Sequence, residues 1–276
     1  KVLETTFDHG NGFMNGMSLH YYTLSTGNWQ KKGSALEFDE ADWYRTLKAT
    51  LKMEELIKGH GAIMDQYDPE KKIGMVIDEW GTWYDVEPGT NPGFLYQQNT
   101  MRDALVAGIN LNLFHKNCDR VKMANIAQMV NVLQAVILTD GDRMVKTPTW
   151  HVFHLYKVHQ DAELVESYVE TKQVGVEEGV QIPDLSESAS VGKDGKLYIT
   201  LTNASLEEAG EVEAVLAETP VKSVQAQILT GAMKAHNTFD APDEVHTASF
   251  TQFVIKENKI EFTIPACSVL QLEVEI

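Results

Sequence analysis

The hydrophobic period of this chain changes once, near residue 160, and that change constrains the fold more than any single motif. Before it, short apolar runs alternate with segments of helical period. "GMSLHYYT" (Gly16–Thr23) reads as a strand bounded by glycine. "DEADWYRTLKATLKMEELIKGHG" sets Trp43, Leu47, Leu51 and Leu56 at helical spacing, with Asp39 or Asp42 as N-cap and Gly59 as the stop. "IGMVID" is the next strand, "LYQQNTMRDALVAGINLNLFHKN" a long helix and "VKMANIAQMVN" a third, buried strand. "TPTWHVFHLYKVH" is a further helix with Pro148 in its first turn, where its missing N–H does no harm. Strand–helix alternation of this kind predicts parallel strands joined by crossover helices.

Beyond Gln160 the period becomes two. "GKLYITLTNAS", "VKSVQAQILTG" and "FTQFVIKENKIEFTIPACSVLQLEVEI" alternate apolar and polar residues between turn signals, with a hairpin at Glu257–Asn258. "GVEEGVQIPDLSESAS" reads as an exposed loop. The expected fold class is α/β plus all-β, with residues 1–159 as the α/β part and 160–276 as an antiparallel β-sandwich. About three strand–helix units are far fewer than the eight of a (β/α)8 barrel, which takes about 250 residues. Either a small open sheet is intended, or these are the last strands of a barrel. The missing initiator Met favours the second.

A formal charge of −17 argues against nucleic acid or an anionic membrane as partner. No apolar run is long enough for a membrane span, and Lys1–Phe13 lacks the apolar centre of a signal peptide. Cys118 and Cys267 stand far apart without CxxC spacing, as expected of free thiols in a reducing compartment. A cytoplasmic location follows.

Three strand ends carry polar groups: His20, Tyr21 and Tyr22; Asp78 and Glu79; Asn125 and Gln128. In barrels, catalytic groups sit at such C-terminal strand ends. A carboxylate, an imidazole, a phenol and an amide suit a sugar, whose faces stack on rings such as Trp80 or Trp83. Strict alternation puts Met75, Ile77 and Glu79 on one side of their strand, and Val76 and Asp78 on the other. Blander readings exist for each residue. An acid at a strand end can be merely solvated, His20 can be a satisfied core histidine, and Gln128 can be a structural amide of an apolar strand. His151, His154 and His159, like His115 and Cys118, have no acid at ligand spacing, so no metal site is expected.

"SLHYYT", "IDEWGTWY" and "DRVKMANIAQMVNVLQAVILTD", in this order, resemble the α-L-arabinofuranosidases of glycoside hydrolase family 51. The resemblance implies the C-terminal part of a (β/α)8 barrel followed by a β-sandwich, in a retaining glycosidase with two catalytic glutamates. It makes Glu79 the nucleophile at the end of barrel strand seven. It places His20 and Tyr22 on strand six and Gln128 on strand eight as sugar-binding residues, with Trp80 and Trp83 as aromatics of the cleft. Asp78 becomes a supporting group. Gly81 stands where many relatives carry Asn. The family's acid/base glutamate follows an asparagine, and no Asn-Glu pair occurs in these 276 residues. The expectation is a truncated chain, inactive alone, whose complete form acts on an arabinofuranosyl-containing saccharide and assembles as a homo-oligomer, hexameric in the family. No metal or organic cofactor is implied. A non-catalytic carbohydrate-binding module, or a related xylosidase or glucuronidase, is the alternative.

Overall fold

A computed structural model describes residues 1–8 and 13–276. The α/β part runs through α1 (Val2–Asp8), β1 (Gly16–Thr23), α2 (Glu40–Thr50), α3 (Lys52–Tyr67), β2 (Gly74–Thr82), α4 (Met101–Lys116) and β3 (Val121–Ile126). A hairpin, β4 (Ile137–Asp140) and β5 (Arg143–Lys146), then leads into α5 (Pro148–Tyr156). The first three strands form a parallel sheet in the order β1-β2-β3, so β2 is central. Asp39 caps α2 by accepting the Asp42 N–H at 2.9 Å, and Pro148 opens α5 as the pattern predicts. Gly59 does not stop the helix. The break comes earlier, at Leu51, and α3 runs through Gly59 and Gly61 to Tyr67. A mid-helix glycine costs about 1 kcal/mol, and the continued burial of Met53, Ile57 and Met64 on one face offsets it.

The β-rich part contains β6 (Glu163–Val165), β7 (Gln173–Val174), β8 (Ile182–Pro183), β9 (Leu185–Val191), β10 (Leu197–Asn203) and β11 (Gly210–Val215). It continues with β12 (Ser223–Thr230), β13 (Thr247–Ser249), β14 (Phe253–Lys256), β15 (Lys259–Ile264) and β16 (Ser268–Glu275). An antiparallel six-stranded sheet, β13-β12-β16-β10-β9-β6, packs on a three-stranded one, β11-β15-β14. Leu201, Ile228, Phe262, Leu270 and Leu272 fill the space between them. The β14–β15 hairpin turns at Glu257–Asn258, where Glu257 takes the left-handed conformation (φ 51°).

One expectation fails here. Leu185–Ser190, the end of the segment read as loop, belongs to β9, which pairs along its whole length with β10. Its alternation was hidden because its polar side, Ser186, Ser188 and Ser190, does not face water. It faces α4, which is buried from Met101 to Phe114 between the parallel sheet and the sandwich. There Asn112 Oδ1 accepts from Tyr156 Oη (3.0 Å), Ser188 Oγ (2.9 Å) and Thr200 Oγ1 (3.1 Å), while its Nδ2 donates to Ser186 Oγ (3.2 Å). Trp43 Nε1 also crosses between the two parts, donating to the Ala204 carbonyl at 3.0 Å.

Two histidines complete this seam. His159 contacts Ser190 Oγ (2.7 Å) and Thr200 Oγ1 (3.0 Å); His115 contacts Ser188 Oγ (3.0 Å). Their rings lie 4.5 Å apart. Burial pushes His115 down to about 4, and burial plus the neighbouring His115 pushes His159 down to about 3. The unfolded chain therefore binds more protons between about pH 6.5 and 4, and stability must fall as pH falls through that window. Thermal unfolding should show a midpoint declining from pH 6.5 to pH 4, with a shallower decline in His159→Gln.

Candidate active site

The central strand is interrupted where its two acids lie. In the β1–β2 ladder Ser18 pairs with Val76, but the next pair on this side is His20 with Glu79, so one residue of β1 opposes two of β2. The β2–β3 ladder shifts over the same span, between Ile77 and Trp80. This is a β-bulge, which breaks alternation and re-aims the side chains beyond it. Ile77 and Trp80 both end up fully buried on the helix side, while Asp78 and Glu79 both emerge half-exposed on the opposite, solvated face.

The bulge corrects two expectations from strict alternation and the expected place of Trp80 in the cleft. Glu79 does not share the side of Met75 and Ile77. Asp78 does not point away from Glu79; the imidazole of His20 touches both, with Nε2 3.0 Å from Asp78 Oδ1 and Nδ1 3.5 Å from Glu79 Oε2. Trp80 does not line the cleft. Its ring is inaccessible, edge-on to Phe114 and stacked on Phe153 in the core beneath the sheet.

Tyr22 completes the arrangement. Its phenol donates to Glu79 Oε2 at 2.6 Å. Burial raises the Tyr22 hydroxyl well above its ordinary range, and the hydrogen bond and charge of Glu79 add to this, so the phenol stays a donor. Asp78 is held below the usual carboxylate range, chiefly by the Ser18 hydroxyl at 2.7 Å, with its own backbone N–H and His20 adding to this against a smaller opposing effect of burial. The result is a polar row along the seam between β1 and β2: Ser18, Asp78, His20, Glu79, Tyr22.

Trp83, the residue that follows β2, packs edge-on against Tyr22 with ring centres 4.9 Å apart. Trp29, which sequence reasoning missed, packs edge-on against Trp83 at 5.4 Å and lies 6.5 Å from Tyr22. Its one sequence signal was a large aromatic inside the turn-rich run "STGNWQKKG". Gln128 follows β3, whose Ile126 pairs with Trp80. It is exposed and outside the strand, not a buried amide, and Met123 and Asn125 before it are also exposed. His20 and Tyr22 meet the Glu79 carboxylate, Trp83 packs on Tyr22, Gln128 lies two residues beyond the neighbouring strand, and Trp80 lies behind the sheet. Among the described residues no group of three or more His, Cys, Asp or Glu could hold a metal ion.

A parallel-stranded α/β unit with a carboxylate, an imidazole and a phenol at its strand ends, followed by an antiparallel sandwich, places its polar groups where the active sites of (β/α)8 enzymes lie. Residues 78–268 match the family model described as the alpha-L-arabinofuranosidase C-terminal domain. The chain belongs to that family. It is 46% identical over 95% of its length to an intracellular exo-alpha-L-arabinofuranosidase of Bacteroides ovatus, of which it covers 51%. The structure of the GH51 arabinofuranosidase from Xanthomonas axonopodis pv. citri superposes with a TM-score of 0.94 at 46% identity, over 99% of this chain and 55% of that one. The arabinose complex of the Thermotoga maritima α-L-arabinofuranosidase superposes at 0.76 with 26% identity, over 95% and 53%. The chain thus spans about half the length of the relatives it matches. No helix among the described residues is long and apolar enough to cross a membrane.

Proposed function

We propose that the polypeptide carrying this sequence is a retaining exo-acting α-L-arabinofuranosidase, with Glu79 as nucleophile. The observation that carries this reading is the Glu79 carboxylate, presented by a bulge at the central strand's end and gripped by the Tyr22 hydroxyl. Glu79 attacks the anomeric carbon of a terminal arabinofuranosyl unit as the glycosidic bond breaks. The Tyr22 O–H and the His20 ring hold one carboxylate oxygen, which leaves the other to form the ester. Asp78, ionised and tied by Ser18, orients His20 and has no proton to give the leaving oxygen. That proton comes from a second glutamate, about 5 to 5.5 Å from the nucleophile, in the half of the relatives' length that this chain does not span. The same group then activates the water that releases L-arabinose. Gln128 and Trp83 bind the sugar from the neighbouring loops.

In this reading residues 1–159 supply strands six to eight of a (β/α)8 barrel and residues 160–276 the sandwich. The parallel sheet supports it: Ser18, His20, Met123 and Asn125 line one solvated face, whereas parallel sheets are normally covered on both. The relative named intracellular, the free thiols of Cys118 and Cys267, and the acidic charge support a cytoplasmic enzyme without nucleic-acid partners. A homo-oligomer, hexameric as the resemblance implies, is part of the same reading.

The full-length polypeptide given an aryl α-L-arabinofuranoside with methanol as acceptor should form methyl α-L-arabinofuranoside first, read by proton NMR. The β anomer would exclude the double displacement. Glycan binding without turnover would point to a non-catalytic binding module instead.

A further inference from the structure

The loop from Leu24 to Gly33 is built, not slack. Ser25 Oγ donates to the Lys32 carbonyl at 3.1 Å, and the Thr26 hydroxyl accepts the Asn28 N–H at 3.1 Å and donates to the Lys31 carbonyl at 2.5 Å. The Asn28 side chain accepts the Gln30 N–H at 2.9 Å. One residue from the facing loop clamps its far end. Asp85 accepts the Lys32 N–H on Oδ1 (3.3 Å) and the Gly33 N–H on Oδ2 (3.1 Å), and its own N–H donates to the Gly33 carbonyl at 2.9 Å. Just beyond, buried Arg102 donates to the Ser34 carbonyl at 2.9 Å, its guanidinium between the Phe38 and Tyr84 rings.

What this scaffold carries is Trp29, 51% exposed on a surface turn. Leaving an indole half in water forgoes part of its hydrophobic burial. Fixing it in one place with a chain of backbone bonds makes sense when something else is to cover it. Its position names the occupant. Trp29 and Trp83 meet edge to face at 85°, so their two ring faces form a corner, and Tyr22 joins that corner to Glu79. Lys32 Nζ lies 5.8 Å from the centre of the Trp83 ring. From the nucleophile, the corner is one side chain away. The group of a glycan that lies beside the ring being cleaved is the next sugar ring.

We infer that Trp29 is the stacking platform for the sugar ring next to the scissile bond, and that Asp85 is the positioning residue that holds its loop against Trp83. The inference rests on the glycosidase reading above. The ligand is a neutral furanosyl or pyranosyl unit of the same saccharide, whose C–H face lies on the indole while Lys32 reaches its hydroxyl groups. A sugar's C–H face laid on the indole takes apolar surface of both out of water. Trp29 therefore governs affinity for chains over single sugars.

The test uses the full-length polypeptide and two substrates: an arabinofuranosyl disaccharide, which has a second ring, and α-L-arabinofuranosyl fluoride, which has none. The ratio of their kcat/KM values should fall roughly three- to tenfold in Trp29→Ala, through KM of the disaccharide, and less in Trp29→Phe. Asp85→Ala should lower the same ratio, and Asp85→Asn, which keeps one accepting oxygen, should restore part of it. An unchanged ratio in Trp29→Ala, or equal losses on both substrates, overturns the platform. If the unsubstituted polypeptide cleaves neither substrate, the glycosidase reading fails and takes this inference with it. Normal cleavage with an unchanged ratio defeats this inference alone.

Discussion

Glu79→Ala in the full-length polypeptide is expected to lower kcat for aryl α-L-arabinofuranosides by roughly 10⁴-fold or more, the scale at which loss of a covalent nucleophile is felt. The substitution removes the attacking atom and leaves the Tyr22 hydroxyl without its 2.6 Å acceptor. Little structural cost should accompany it, because Glu79 stands among polar groups at a strand end and takes no part in the apolar core. KM should move far less than kcat. Added azide should restore turnover and yield the β-configured azide, because a small anion can fill the vacated space and attack without a second displacement. Near-full activity of the variant would remove Glu79 from the nucleophile's role. Tight binding of arabinose to an inactive variant would separate lost chemistry from lost folding.

The largest effect on stability is expected at Arg120, well away from the chemistry. Its guanidinium is 4% exposed and donates to Asp68 Oδ2 (2.8 Å), to the Ile73 carbonyl (2.9 Å), to the Asp68 carbonyl (2.9 Å) and to Asp65. These bonds join the C-terminal end of α3 to the starts of β2 and β3. Arg120→Met keeps the length but strands the Asp68 carboxylate, itself 6% exposed, without its cation. Breaking a buried pair from one side costs about 3–5 kcal/mol. Chemical denaturation should show this as a lower midpoint at unchanged slope.

The pH dependence gives a second check. Burial raises the Asp68 carboxyl, but the Ile73 N–H and the Arg120 guanidinium pull it down further, and it ends below its ordinary value. A carboxylate with a depressed folded pKa adds stability above its unfolded pKa of about 3.9 and loses it as pH falls through the folded value. The unsubstituted protein should therefore lose stability below about pH 4, and Arg120→Met should lose less over the same range. Equal acid sensitivity in both would show that the pair is not what holds this corner.

Much of the architecture was legible because its determinants are local. Gly16–Thr23 is bounded by Gly16 and its apolar residues, and the strand occupies those residues. Asp39 and Pro148 sit where helices begin, since a cap and a first-turn proline act within one turn. Trp29 and Asp85 were not legible. A tryptophan in a turn becomes meaningful only when another loop brings Asp85 to its backbone and Trp83 to its ring.

The chain's own residues determined that there would be three parallel strands, crossover helices and a sandwich, and which strand ends would carry acids, imidazole and phenol. Period and capping are properties of neighbours in sequence, so they survive without coordinates. Only the tertiary structure decided which way those groups point. A bulge arises from the pairing of β2 with both of its flanking strands; one extra residue there reverses the side taken by every residue after it. That reversal sends Trp80 into the core, brings Asp78 and Glu79 to one imidazole, and puts the carboxylate proposed as nucleophile on the solvated face. Likewise, whether Ser186, Ser188 and Ser190 face water or a helix depends on where α4 packs, which no window of β9 records.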